Sequence, residues 1–293
     1  MLATLPQIPS YAQGFACRRG ESRQTAVWDG LVGLWAPLLG PTGLTLPNWS
    51  PQGPALGGTL TNMDPGADWV ASRYGWTLSF PDISDHVVVP YAAVLSPPQI
   101  SVRAIYRSPA SFNAANVIVS KGESAITRVD YDLYFDSNLH LSARFYDGSW
   151  RNHWVWFAVE PSTWYDVVFS FDGQRAKIWI DGQLRLDVAE TNPRPQTNGS
   201  LYLGNYSLSQ TQSFRGQLAL VAIWDRVLTS GEVQQLYVDR WAPLGLSRRV
   251  RAMLPGVGGP YRLAAAGLFH TGAAAGEVFS TGSIAGECDG HSG

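Results

Sequence analysis

At 293 residues the chain can bury a substantial core, in one large domain or in one domain with appendages. A net charge of −2 with only 15 % charged residues and no basic stripe leaves no electrostatic footprint for nucleic acid. No apolar run is long enough to span a bilayer, so no membrane role is expected. Cys17 and Cys288 stand one near each end, so the fold does not depend on a disulfide framework; the thiols read as free, with pairing left open should the termini meet. Met1 to Gly20 contains Pro6, Pro9 and polar residues where a secretory signal needs a continuous apolar segment, which predicts synthesis in the cytosol without secretory cleavage. Sparse charge beside 12 Trp has two readings of equal weight: a surface covered by neighbouring subunits, or a β-domain coated with Ser, Thr and Asn.

Residues 1–27 form an arm with no sustained periodicity. Strand signals then follow one another: Gly30 to Trp35, Trp76 to Phe80, Val87 to Val89, and Gln99 to Tyr106, where Ile100, Val102, Ala104 and Tyr106 share one face. Asn116 to Ser120, Tyr131 to Phe135, Leu139 to Tyr146 and His153 to Ala158 continue at regular spacing. Trp164 to Phe171 leads through Asp172-Gly173 into Ala176 to Ile180, and Asp181-Gly182 leads into Leu184 to Leu186. Asp-Gly suits tight hairpins because its turn positions tolerate positive φ. Leu201 to Gly204 and Phe214 to Trp224 complete the strands. One helix is predicted from Thr229 to Val238, opened by a capping box of Thr229 and Glu232. Consecutive hairpins with one late helix predict an all-β fold: a two-sheet antiparallel jelly-roll sandwich over 28–243, flanked by extended N- and C-terminal arms.

The C-terminal arm, 244–293, is rich in Gly and Ala and carries a repeat, 268–277 and 278–287. Phe269 matches Phe279, Thr271 matches Thr281, and Gly276-Glu277 matches Gly286-Glu287. Two copies are too few for a self-supporting solenoid. The arm is read as an extended or turn-rich segment that orders against a partner, with a disordered tail as the equal alternative.

Several segments together resemble the laminin-G-like, concanavalin-A-like jelly rolls of the pentraxin type. These are Leu31-Val-Gly-Leu-Trp35, Gly58-Thr-Leu-Thr-Asn62, Trp76 to Phe80 through Asp85 to Pro90, the Trp164–Leu184 hairpins, and Phe214 to Val233. The resemblance runs from about residue 30 to residue 240. It implies the fold and leaves function open, because sites are grafted onto scaffolds. The chain also resembles structural proteins of tailed bacteriophages that carry such a domain between short arms.

Hydrolysis is not expected. Retaining glucanases of this superfamily need paired carboxylates on one strand face, and the Glu residues here form no such cluster. Calcium, which the resemblance suggests, wants six to eight oxygens. In this chain Ala219 stands where many relatives place a closing-strand Asp, and Asn48 to Gly57 replaces their early metal-binding loop. Asp82 and Asp85 remain as weak calcium candidates, or as acids that simply cap a turn. Trp150, Trp154 and Trp156 crowd one hairpin and would stack on sugar rings if exposed. Since Val155 and Phe157 alternate with them, burial explains the pattern as well. The expectation is a non-enzymatic virion structural protein, in capsid decoration or the tail. It would dock through its arms onto other virion proteins and onto itself as a homo-oligomer, with Trp150, Trp154, Phe269 and Phe279 as partner or glycan contacts. The alternative is a lectin-like module for host surface glycans, with or without calcium.

Overall fold

A computed structural model describes residues 26–244 apart from 113–115, 123–127, 137 and 207–211. In chain order the strands are β1 (Leu31–Trp35), β2 (Thr45–Leu46), β3 (Gly58–Thr61), β4 (Trp69–Ser72), β5 (Gly75–Ser79), β6 (His86–Val89), β7 (Ile100–Arg107) and β8 (Asn116–Gly122). They continue as β9 (Val129–Phe135), β10 (His140–Tyr146), β11 (Trp150–Ala158), β12 (Trp164–Phe171), β13 (Arg175–Ile180), β14 (Gln183–Ala189), β15 (Leu201–Leu203) and β16 (Gln217–Trp224), followed by helix α1 (Ser230–Val238). The first sheet runs β14-β13-β12-β7-β16-β5-β4, with β1 also paired to β16; the second runs β11-β10-β9-β8-β15-β6-β3-β2. Both are antiparallel, as a jelly-roll sandwich requires. No helix among the described residues is long and apolar enough to cross a membrane.

The inner faces form one core. Ile100, Val102, Ala104 and Tyr106 of β7 meet Val167, Phe169 and Phe171 of β12, and Tyr131, Leu133 and Phe135 of β9 from the facing sheet. The first sheet is buried on its outer side too. There Ile105, Val168, Trp179, Leu220 and Trp224 pack against Val233 and Leu236 of α1 and against Trp241. Burial on both faces explains why Leu218 to Trp224 is an unbroken apolar run rather than an alternating one. The outer face of the second sheet carries no such layer among the described residues, and its β11 side is exposed to solvent.

Two buried ionic arrangements tie irregular segments to the sheets. Arg103 of β7 pairs bidentately with Asp166 of β12 at 2.8 and 2.6 Å, and donates further to the carbonyls of Leu236 and Arg240. It thus satisfies backbone acceptors at and just past the end of α1. On the second sheet, Asp130 is wholly buried and accepts hydrogen bonds from Arg194 and from the Ser96 hydroxyl. The Lys121 ammonium lies 3.3 Å from it and donates to the carbonyls of Thr197 and Gly199. Burial pushes the Asp130 carboxyl above its usual range, against the pull of Arg194 and Lys121. The stretch before β15, which has no ladder partners, is held to β8 and β9 by these side chains.

The helix begins as its sequence predicts. The Glu232 amide donates to Thr229 Oγ1 at 3.2 Å, and the Thr229 amide donates to Glu232 Oε2 at 2.7 Å. Burial pushes the Glu232 carboxyl up, but hydrogen bonds from Arg226 and Thr229 outweigh it and leave the group below its usual value. Thr229→Ala is expected to cost about 1 kcal/mol, read as a lower urea midpoint with an unchanged slope. A midpoint equal to wild type would show that the cap contributes nothing.

β3 falls on the Gly58–Asn62 segment that carries part of the family resemblance, whereas β2 and β4 are not foreseen by the sequence reading, being only two and four residues long. Cys17, Cys288, Phe269, Phe279 and the repeat lie outside the described residues, as do the arms themselves except for residues 26, 27 and 244.

Candidate functional site

Alternation along β11 sends Val155 into the core and Trp150, Trp154 and Trp156 outward, with 42 %, 45 % and 83 % of their surface exposed. The indoles therefore do not fill the core, and Phe157 is half-buried against it. Register shapes what lies beside them. Trp154 stands opposite Ser142 of β10, which stands opposite Tyr134 of β9. A small buried serine between two aromatics leaves a depression of ≈ 390 Å³, lined by Tyr134, Asp136, Asn138, His140, Asn152, Trp154 and Trp156.

The turn between β9 and β10 supplies one wall. Asp136 Oδ1 accepts from the amides of Asn138 and His140 at 2.8 and 2.9 Å, and the Leu139 amide donates to the Asp136 carbonyl. Leu139 sits at φ 64°, a left-handed conformation uncommon for a branched non-glycine residue and held only where surroundings enforce it. The His140 ring lies edge-on to Trp156, 4.8 Å between centroids, with Nδ1 3.4 Å from Asp136 Oδ2.

The next row of the register sets the floor. Asn152, Arg144, Asp132 and Ser120 face one another across β11, β10, β9 and β8. Arg144 Nε donates to Asp132 Oδ2 at 2.8 Å, and its guanidinium stacks 4.3 Å from the Tyr134 ring centre and 4.1 Å from that of Trp150. The Tyr134 hydroxyl donates to Asn152 Oδ1 at 3.2 Å. Burial pushes the Asp132 carboxyl up while Arg144 pulls it down. The aromatic walls are thus fixed by a charged, stacked centre rather than by flexible contacts.

Behind the indoles, His153 is buried on the core side of β11, its Nε2 without a hydrogen-bond partner and 3.7 Å from Glu190 Oε2. Burial holds its pKa below 6.5, against the raising effect of Glu190. The folded state therefore binds this proton less readily than the unfolded chain. Its contribution is favourable above pH 6.5 and is lost as pH falls below that value toward the depressed folded-state pKa. His153→Leu is expected to flatten the pH dependence of the melting temperature in this window. An unchanged slope would locate the acid sensitivity elsewhere.

The other expected ligands are placed differently. Asp85 is buried, and its Oδ2 accepts from the Asp82 amide at 2.7 Å, which is turn capping. Among the described residues no three carboxylate, imidazole or thiol side chains converge in a metal-holding group. Asn48 closes its own loop, accepting from the Leu34 and Ser50 amides and donating to Ser50 Oγ and the Gly53 carbonyl. Ala219 is buried in the outer core of the first sheet. Trp150 and Trp154 do lie on the candidate face. Sequence reasoning did not nominate Tyr134, Asp136, Asn138, His140 or Asn152; the alternation in β9 and β10 placed them on one face, but not the cross-strand register that brings them to β11.

Residues 81–234 match the family model described as the Concanavalin A-like lectin/glucanases superfamily. The chain belongs to that superfamily. No curated protein matches it. Among solved structures, Trypanosoma rangeli sialidase in complex with sialic acid is similar at TM-score 0.56 and 16 % identity, over 72 % of this chain and 33 % of the sialidase. The chain therefore spans about a third of the sialidase's length. Domain 4 of AbnA, an extracellular arabinanase from Geobacillus stearothermophilus solved with arabinotriose, is similar at TM-score 0.56 and 18 % identity, over 71 % of this chain and 98 % of that domain. The binding domain of Paraclostridial Mosquitocidal Protein 1 is similar at TM-score 0.58 and 12 % identity, over 73 % and 53 % of the two chains. At these identities the likeness establishes the fold alone.

Proposed function

We propose that the protein is a carbohydrate-binding module that holds glycans non-covalently on the outer face of the second sheet, without a metal. One observation carries this reading: three indoles from a single edge strand are presented to solvent beside a depression walled by Asp136, Asn138, His140 and Asn152. An indole face accepts the apolar C–H face of a sugar ring, and a few fixed polar groups orient its hydroxyls. The arabinotriose bound to the similar arabinanase domain supports the class of ligand, not its identity.

Binding rather than hydrolysis is the favoured activity. Among the described residues Asp136 is the single carboxylate lining the depression, whereas glycoside hydrolysis uses two acids flanking the scissile bond. The virion-docking expectation draws on 1–27 and 244–293, almost all outside the described residues, and the face described above favours glycan recognition. Calorimetry against a glycan panel, with calcium and then with chelator, tests the proposal. Binding with equal affinity in both conditions is expected. Silence across the panel would overturn the reading, and binding abolished by chelator would overturn its metal-free form.

A further inference from the structure

We infer that this face selects uncharged saccharide chains and takes them lengthwise along β11. The inference rests on the glycan-binding reading and adds the class of ligand. Charge is the first argument. Among the described residues, the bases of this face already have carboxylates: Arg144 with Asp132 at 2.8 Å, and His140 with Asp136 at 3.4 Å. The lining of the depression itself holds, among the described residues, the Asp136 carboxylate and neither lysine nor arginine. A uronate or sulfated sugar would bring like charge to a partly desolvated surface and find its natural partners occupied. The walls combine the Asp136 carboxylate with the Asn138 and Asn152 amides, an acceptor and mixed donor–acceptor groups that suit sugar hydroxyls, and the carboxylate repels an anionic sugar.

Length is the second argument. Trp150, Trp154 and Trp156 project from the same face of one extended strand. At about 3.4 Å per residue they spread over roughly 20 Å, more than one sugar ring covers. β11 ends its sheet, so this face has no flanking strand to close it into a pocket for a chain end.

Calorimetry of the full chain tests this with neutral hexasaccharides of glucose, xylose, mannose and arabinose, their mono- and disaccharides, and a hexauronate. The expected result is binding of at least one neutral hexasaccharide, at least tenfold tighter than its disaccharide and than the hexauronate, and little changed by salt. Asp136→Asn, which keeps the Oδ1 acceptor that holds the turn and removes the charge of the wall, is expected to raise hexauronate affinity several-fold. Tighter binding of the hexauronate by the wild-type protein would overturn the inference while leaving the glycan reading standing, and so would equal affinity for mono- and hexasaccharide. Failure of every saccharide to bind would overturn both.

Discussion

Asp130→Ala is expected to lower the melting temperature by on the order of 10 °C, or to leave the chain unfolded. The substitution removes the carboxylate that Arg194 and Lys121 share, and all three side chains are buried. Breaking a buried pair by deleting one partner typically costs about 3–5 kcal/mol, because the remaining charge is stranded. For a domain of roughly this size each kcal/mol moves the midpoint by about 2–4 °C. Here two cations are stranded, and the segment before β15 loses its anchor to β8 and β9. Asp130→Asn keeps the shape and part of the hydrogen bonding, so an intermediate loss is expected. Paired thermal and urea melts would read the series. A loss of under about 1 kcal/mol for the alanine variant would mean that the cluster is already solvated and does not hold the loop.

Removing the indoles is expected to affect binding and spare the fold. Trp154→Ala should weaken glycan affinity by about thirtyfold, taking ~2 kcal/mol for a central aromatic contact. Adding Trp156→Ala should bring binding below detection. Both side chains point to solvent, so thermal stability should change by no more than about 0.5 kcal/mol. Trp154→Phe should recover part of the affinity, since a ring face remains. A double variant that binds as tightly as wild type would place the ligand elsewhere on the molecule.

The sandwich was legible because its long strands and hairpin turns are governed by neighbours in sequence. Trp164 to Phe171, the Asp-Gly turns and the Thr229–Glu232 cap occupy the expected places. The candidate site was legible only in part. Trp150 and Trp154 stood out by residue type, but their exposure depends on whether anything covers the outer face of the second sheet, which is a tertiary fact. Arg144 and Asp132 read from sequence as solvated strand charges; only the register of β9, β10 and β11 brings them together, with Arg144 stacked between Tyr134 and Trp150. Asp85 does what the turn-capping reading of the sequence expects: its Oδ2 accepts from the Asp82 amide.

The most direct measurement is the set of indole N–H signals of the full chain, recorded while a bound neutral oligosaccharide is titrated to saturation. The signals of Trp154 and Trp156 should shift furthest. Those of Trp35 and Trp224, whose indoles donate to the Leu56 and Val27 carbonyls at 2.7 and 2.8 Å inside the domain, should stay in place. Saturation with the Trp154 and Trp156 signals unmoved would contradict the account.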